Sequence, residues 1–374
     1  MARVPIIRTS ERRAFKRCPQ MWWWSWRQGL VPLGRIAPAL WLGTGVHIGL
    51  AGWYCGPGLK RGPHPAETFD QWAADEIQYI KTSDRFGNGK EAVIEEKLIP
   101  GRELGIAMLE GYVKQYGRDD SWSVIEPERS GQVDILDPDD PGKLLAIYGF
   151  TYDLVYRDLA TGRVMLGEHK TAASIKVTHL PLDPQAGSYF LVAQPHLRQE
   201  GLIGPKERLY GITYNFLRKA LPDPRPIGPT GHRHNNPLKA DYIKALADVD
   251  HRSEAELGKM KLEALETVAN ARGIQVWGEV SKKQQSPLFH REEVHRTQAE
   301  RATQYGRIQT DAVLMDQYRS GALLLTKNET PDCTFCQFFD MCILDEGTGD
   351  AQEYRESMYE VRDPYADHRK STEE

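Results

Sequence analysis

Apolar residues recur at helical spacing in Phe69, Trp72, Ala73, Ile77 and Ile80, and again in Leu104, Met108 and Tyr112, so two amphipathic helices are expected there. A shorter helix is expected from about Glu11 to Cys18. Thr9 or Ser10 can cap it, and Pro19 ends it by disfavouring helical geometry in the residue before it. From Trp122 the pattern changes to the alternation of strands. Ser123 to Ile125, Gln132 to Leu136, Leu144 to Tyr148, Tyr152 to Arg157 and Val164 to Leu166 are separated by Asp, Pro and Gly, which reads as a mostly antiparallel meander. Asp183 then caps a helix with Pro184 in its first turn, running through Gln185 to Gln194, and Leu209 to Leu217 is a further strand. Leu221 to Pro237, with five prolines, is a connector; about Ala240 to Arg272 is helical, and Glu292 to Arg319 reads as one long helix.

This order of elements is that of an α/β fold of the α+β type, a central mixed sheet flanked by helices. It divides the chain into a core with a helical N-terminal part (1–220), a connector and helical insertion (221–290), and a C-terminal helix, cysteine segment and acidic tail (291–374). Within the insertion, Met260 to Ile274 resembles the small helical hairpins that bind DNA or RNA, a pattern that ordinary packed helices share. Met21 to Trp26 holds four tryptophans in six residues, which either wall the core or stack on bases.

Composition narrows the class. The 374 residues are 27% charged and 40% hydrophobic, as in ordinary globular domains, which excludes collagen-like, disordered and disulfide-scaffold classes. No stretch reaches the ~18 apolar residues of a spanning helix, and Met1 to Ser10 lacks the apolar core of a signal peptide, so a cytoplasmic location is expected. A net charge of −4 gives no overall positive field for a nucleic acid, so any such surface must be local. Residues 1–30 carry seven bases against the single acid Glu11, whereas residues 332–374 carry twelve acids against four bases. Arg12, Arg13 and Arg17 at that basic end, with Arg218 and Lys219, are the candidate phosphate contacts.

Two constellations could carry chemistry. Asp153 ends one strand, and Glu168 and Lys170 lie two apart at the end of the next, so the latter two share a face that Asp153 can join. Two nearby carboxylates ionise together at low cost only around a cation, and hard oxygen ligands suit Mg2+ or Mn2+. Lys170 could orient a water or stabilise charge developing on a phosphate. Taken alone, an Asp followed by Glu-x-Lys is also what a surface ion pair looks like. Cys18 with Cys333, Cys336 and Cys342 makes one close pair and two singles, unlike the two tight pairs of a zinc ribbon. An iron–sulfur cluster, zinc and free thiols are the alternatives, and Cys55 stands outside the pattern. Glu126 is a candidate extra acid; His232 and His234 read as plain loop residues.

Six elements in order carry a resemblance: Ser10-Glu-Arg-Arg-Ala-Phe-Lys-Arg-Cys-Pro19, Gly43-Thr-Gly-Val-His47, Asp153, Gly167-Glu-His-Lys-Thr171, Gln185-Ala-Gly-Ser-Tyr189, and Cys333-Thr-Phe-Cys336 with Cys342. From about Ser10 to Tyr365 the chain resembles the PD-(D/E)XK nuclease superfamily and, within it, the RecB-like iron–sulfur branch. That branch includes CRISPR-associated four-cysteine exonucleases, AddB-type nuclease domains and phage relatives. Tyr214 to Lys219 and Pro287 to Arg291 look like the phage members. The resemblance implies a restriction-endonuclease-like core, with His47, Asp153, Glu168 and the His169 carbonyl as Mg2+ or Mn2+ ligands. It implies Lys170 as the water-orienting cation, and Gln185 and Tyr189 near the scissile phosphate. Cys18, Cys333, Cys336 and Cys342 would hold a 4Fe-4S cluster stapling the N- and C-terminal segments. One departure is the three residues between Gly149 and Asp153, where two are expected. The implied activity is a metal-dependent DNA exonuclease of phage recombination, replication or end processing, acting on DNA ends with a recombination or replication partner protein. The alternatives are a DNA-trimming nuclease of CRISPR adaptation and a non-cleaving, cluster-stapled DNA-binding scaffold.

Overall fold

The computed structural model describes residues 4–87, 89–247, 249, 252–347 and 350–366; Arg3, positions 248, 250 and 251 of the expected helical stretch, and the tail from 367 lie outside them. The strands are β1 (Ile6–Ile7), β2 (Leu30–Pro32), β3 (Trp122–Leu136), β4 (Leu144–Asp158), β5 (Val164–Ala172), β6 (Leu209–Arg218), β7 (Phe289–Val294) and β8 (Tyr359–Val361). The α-helices are α1 (Thr9–Arg17), α2 (Pro19–Trp22), α3 (Pro38–Trp53), α4 (Pro65–Thr82), α5 (Lys90–Val93), α6 (Ile99–Tyr116) and α7 (Pro184–Gln199). They continue with α8 (Lys239–Ala247), α9 (Glu254–Gly258), α10 (Leu262–Ala271), α11 (Gln298–Arg319), α12 (Phe339–Glu346) and α13 (Ala351–Met358).

The chain divides into two compact units, Met1–Lys219 with Phe289–Glu374, and Ala220–Leu288. In the first, a six-stranded mixed sheet runs β1-β4-β5-β6-β7 with β3 on the other edge of β4. The β3-β4, β4-β5 and β6-β7 pairs are antiparallel; β1-β4 and β5-β6 are parallel. The short strands expected between Ser123 and Arg157 are the ends of two long ones, because β3 and β4 pair along their whole length and carry their polar middles with them. The expected helix from Glu292 begins later. Phe289–Val294 pairs with β6, and α11 starts at Gln298 with a capping box between Thr297 and Glu300.

Helices cover both faces. Phe190, Val192, Ala193 and Leu197 of α7 and Ile308, Ala312 and Met315 of α11 join Tyr152, Leu166 and Tyr214 in one core. Against the other face, α3, α4 and α6 bury Val46, Leu50, Phe69, Met108 and Tyr112 with Leu154, Tyr156 and Met165. Each large apolar side chain so buried contributes ~1.5–3 kcal/mol. A Cβ at Gly45 would stand 2.3 Å from Trp72, and one at Gly105 2.2 Å from Phe69, so bare backbone is what lets these rings seat between the helices. That close approach seats α3, and His47 on it, against α4. The α7 helix overruns Gln194 to Gln199 despite Pro195, its last turns kept docked by buried His196 and Leu197.

The tryptophan run walls the core: Trp22 is fully buried and donates to Glu11 Oε1 at 2.9 Å, and Trp24 packs on Phe338. Leu30, Phe338, Met341 and Tyr359 complete a small core where the C-terminal segment meets that run, and β2 pairs with β8. The second unit has its own core of Leu246, Leu257, Leu265, Ala269 and Val276, built by the three short helices α8 to α10.

Candidate active site

The site lies where β4 and β5 part. Their ladder ends at Leu154 with Gly167, whereas β1 pairs with β4 at Ile147 and Tyr148, so Gly149 to Asp153 has no strand on that edge. Side chains supply the missing partners. Asp153 Oδ2 accepts the His169 amide at 2.6 Å, and the Tyr189 hydroxyl donates to the Thr151 carbonyl at 2.5 Å. Beyond Gly167, β5 stays paired to β6, which fixes Glu168 and Lys170 on one face. Opposite them stands the first turn of α7, capped by Asp183, whose Oδ1 accepts the Gln185 amide at 2.8 Å.

Glu168 Oε1 accepts from Lys170 Nζ at 2.5 Å and from Gln185 Nε2 at 2.8 Å. Lys170 Nζ also donates to Gln185 Oε1 at 2.9 Å; an ammonium can only donate, so this orients the Gln185 amide. Gln185 Nε2 meets the Tyr189 oxygen at 2.9 Å. From the helical side, His47 Nδ1 lies 3.2 Å from Asp153 Oδ1. The structure thus brings His47, Asp153, Glu168, His169, Lys170, Gln185 and Tyr189 together. Gln185 and Tyr189 line a pocket of about 180 Å³ with Arg8 and Arg13, although Tyr189 is itself buried and committed to Thr151.

Burial first, and then the charge of Asp153, push the Glu168 carboxyl up to about 7 against the pull of Lys170. Burial also opposes ionisation of Asp153, but the His47 charge and hydrogen bonds from His47 and the His169 amide hold it well below the usual carboxylate range. Burial would lower His47; the neighbouring Asp153 overcomes it and raises the ring to about 9. Burial takes His169 down to about 4. Among the described residues no three His, Cys, Asp or Glu side chains form a ready metal cage, either here or among the cysteines. The donor set nevertheless fits a divalent cation. Glu168 Oε2 is buried without a partner among the described residues, beside a second carboxylate, and a cation there would replace the proton that burial invites.

Behind the site a buried polar chain links residues of the two phage-like stretches, Asn215 and Arg291, to His169 and Asp119. Arg291 of β7 holds Asp119 through two hydrogen bonds of 2.7 Å and donates from Nε to Asn215 Oδ1 at 3.3 Å. Because arginine only donates, the Asn215 amide nitrogen faces His169 and donates to its Nδ1 at 2.9 Å, placing the neutral ring's proton on Nε2. Tyr54 stacks on His169 and donates to Asp119 at 2.5 Å. The ring next to the Asp153 clamp is thereby locked.

Other candidates fall differently. Glu126 pairs with Arg129 at 3.7 Å, while Glu128, opposite Asp153 between the Pro127 and Arg129 pairings, is the acid raised by burial and then by Asp153. A bulge between Val124 and Glu126 shifts the alternation, which no residue count reveals. Arg12 is not on the surface. It is 3% exposed and ion-paired to Asp311 at 2.6 Å, so as a DNA contact it is corrected. Arg13 pairs with Asp183, Arg17 is exposed, and Arg218 and Lys219 donate to the Ala173 and Ala39 carbonyls. His234 is buried, its Nδ1 2.6 Å from the Gly278 carbonyl, and is no plain loop residue. Cys18, Cys333, Cys336 and Cys342 all line one cavity of about 300 Å³, and exposed Cys55 is not among its walls.

No curated protein matches the chain. No helix among the described residues is long and apolar enough to cross a membrane. The family profile that does match spans residues 9–343 and takes in α1, every strand of the main sheet after β1, the whole Asp153–Glu168–Lys170 cluster and the four cysteines of the one cavity. With that span and this sheet flanked by helices, the chain belongs to the PD-(D/E)XK nuclease superfamily.

Proposed function

We propose that the chain is a Mg2+- or Mn2+-dependent deoxyribonuclease, an exonuclease of the RecB-like iron–sulfur branch that serves phage DNA recombination, replication or end processing. The observation that carries the chemistry is the buried Glu168, one oxygen held by Lys170 and Gln185 and the other without a partner among the described residues, beside Asp153 and His47. His47, Asp153, Glu168 and the His169 carbonyl would hold the cation. When bound, it supplies the positive charge that activates water and neutralises the phosphate in hydrolysis. Lys170, a cation on the open side of Glu168, orients the attacking water and stabilises the charge that develops as the new P–O bond forms and the ester P–O bond breaks. Gln185 holds Lys170 and Glu168 in register, and Tyr189 holds Gln185.

Supporting the cluster is the convergence of four thiols on one cavity, where the Thr330 amide also donates to Cys333 Sγ at 3.4 Å. Four thiolates are the usual ligand set of a cubane cluster, and amide donors to sulfur tune it. Hydrolysis moves no electrons, so the cluster's work is to tie the end of α1 to the C-terminal segment. The test is degradation of end-labelled single- and double-stranded DNA, linear and circular, with Mg2+, Mn2+ or chelator. Linear DNA should be shortened from its ends only with metal, and circles spared. Equal attack on circles would replace exonuclease by endonuclease, and metal-independent cutting would remove the proposed chemistry.

A further inference from the structure

Away from the cleavage residues, the second half of α7 and the start of α11 border a groove of about 510 Å³ into which Arg198, Arg208, Arg296 and Arg301 all project, with Gln194 and Gln298. Among the described residues no carboxylate lines it. These arginines are held by neutral groups. Arg301 donates to the Arg296 and Leu209 carbonyls at 3.1 and 3.3 Å and lies over the Phe190 ring at 4.5 Å. Arg296 donates to the Leu180 and His295 carbonyls, and Arg198 to the Glu207 carbonyl at 2.6 Å, leaving Arg198 Nε buried without a partner. Arg208 is exposed and has no ion pair or hydrogen bond among the described residues. The nearby acids are spent elsewhere: the Glu207 carboxylate on Arg157 and the Gly204 amide, the Glu300 carboxylate on Thr297.

Other arginines of this chain take acids, as Arg12 with Asp311, Arg13 with Asp183, Arg129 with Glu200 and Arg291 with Asp119. In a chain of net charge −4, four guanidinium groups around one groove with no acid is a positive focus that the fold itself leaves unneutralised. Burial and then the neighbouring Arg208 lower the proton affinity of Arg301, the signature of like charges crowded together. Planar forks with free N–H groups match phosphate oxygens two at a time.

We propose that this groove is a second nucleic-acid contact, separate from the cleavage site, that grips the phosphodiester backbone of DNA; the proposal rests on the nuclease reading above. Gln194 lies nine residues beyond Gln185 on α7, ~14 Å along the axis and about half a turn around it. A strand in the cleavage site therefore reaches the groove only by passing round the helix. Short DNA fills one site; longer DNA fills both.

The experiment measures binding by fluorescence anisotropy, with chelator present to stop cleavage, of a short duplex of about one helical turn and a long one of about five. It compares the full-length wild type with Arg208→Glu, which alters an exposed side chain, and with Arg208→Gln/Arg301→Gln; melting temperatures check folding. The expected result is at least a fivefold loss of affinity for the long duplex, a salt slope shallower by about two, and unchanged affinity for the short one. Unchanged long-duplex binding in Arg208→Glu overturns the proposal, and so does equal loss on both duplexes, which would make the groove part of the cleavage site. Failure of the wild type to bind either duplex would instead overturn the nuclease reading.

Discussion

The Arg291–Asp119 pair offers a quantitative test of how the second face of the sheet supports the site. The Asp119 side chain is 5% exposed and that of Arg291 19%, and the guanidinium is sandwiched at 3.6 Å from Tyr116 and 4.0 Å from Trp122. Two charges ~4 Å apart attract by about 4 kcal/mol at an effective dielectric of 20, and removing one partner of a buried pair costs about 3–5 kcal/mol because the other stays buried and unpaired. Arg291→Met leaves Asp119 with the Tyr54 and Tyr112 hydroxyls alone. Asp119→Asn keeps the backbone undisturbed, since Asp119 sits at φ 51° and asparagine tolerates that left-handed conformation as well. Each single change should cost about 3 kcal/mol in urea unfolding, and the double variant little more than the worse single, a coupling of at least about 2 kcal/mol. Arg291→Met should also slow cleavage, because Asn215 then loses the partner that orients it toward His169. Single costs below about 1 kcal/mol, or costs that add within about 0.5 kcal/mol, would refute the reasoning.

Three further outcomes are expected. Cys342→Ser should lose the brown colour near ~400 nm, melt at lower temperature and expose α1 to proteases, since a cross-link from Cys18 to Cys342 removes on the order of 5 kcal/mol of denatured-state entropy; a colourless wild type with stoichiometric zinc would replace the iron but keep the staple. DNA affinity should fall steeply with salt, and neutralising Arg13, Arg17, Arg218 and Lys219 should flatten that slope, whereas Arg12→Ala should lower stability instead, having lost the Asp311 pair. In metal-free protein His169 is a base held down to about 4 by burial, so its contribution is present above the unfolded value of 6.5 and is lost as pH falls from there through 4, about 3 kcal/mol in all. Urea midpoints across that range should show His169→Gln lacking this loss, and parallel slopes for the two proteins would contradict it.

Much of the site was legible because chemistry and local order coincide in it. Glu168 and Lys170 share a strand face by spacing alone, and Asp183-Pro184 announces the helix that presents Gln185 and Tyr189. What stayed hidden depends on pairing across the sheet. The bulge in β3 slides its pairing along β4 by one residue, so Glu128 stands opposite Asp153 where an unbroken ladder would put Pro127, and Glu126 pairs farther along with Val155. Asn215 and Arg291 meet His169 only because β5, β6 and β7 lie side by side in register. Arg12 reads as a surface base because charge runs usually are solvated, and only the fold reveals Asp311, some three hundred residues on, as its partner. Phe289 to Val294 escaped as a strand because its alternation is charged, and it forms by completing the edge of β6.

The central claim is tested most directly by single-turnover cleavage of end-labelled DNA with Mn2+ by wild type, Glu168→Gln and Lys170→Ala, alongside the affinity of each for the same DNA in chelator. Both variants should cut at least ~100-fold more slowly while binding as the wild type does, because Glu168 and Lys170 act on the cation, the water and the developing charge, and the strand is held by phosphate contacts elsewhere. A Lys170→Ala protein that kept more than about a tenth of the wild-type rate, a loss far short of what removing a charge-stabilising group costs, would contradict the account.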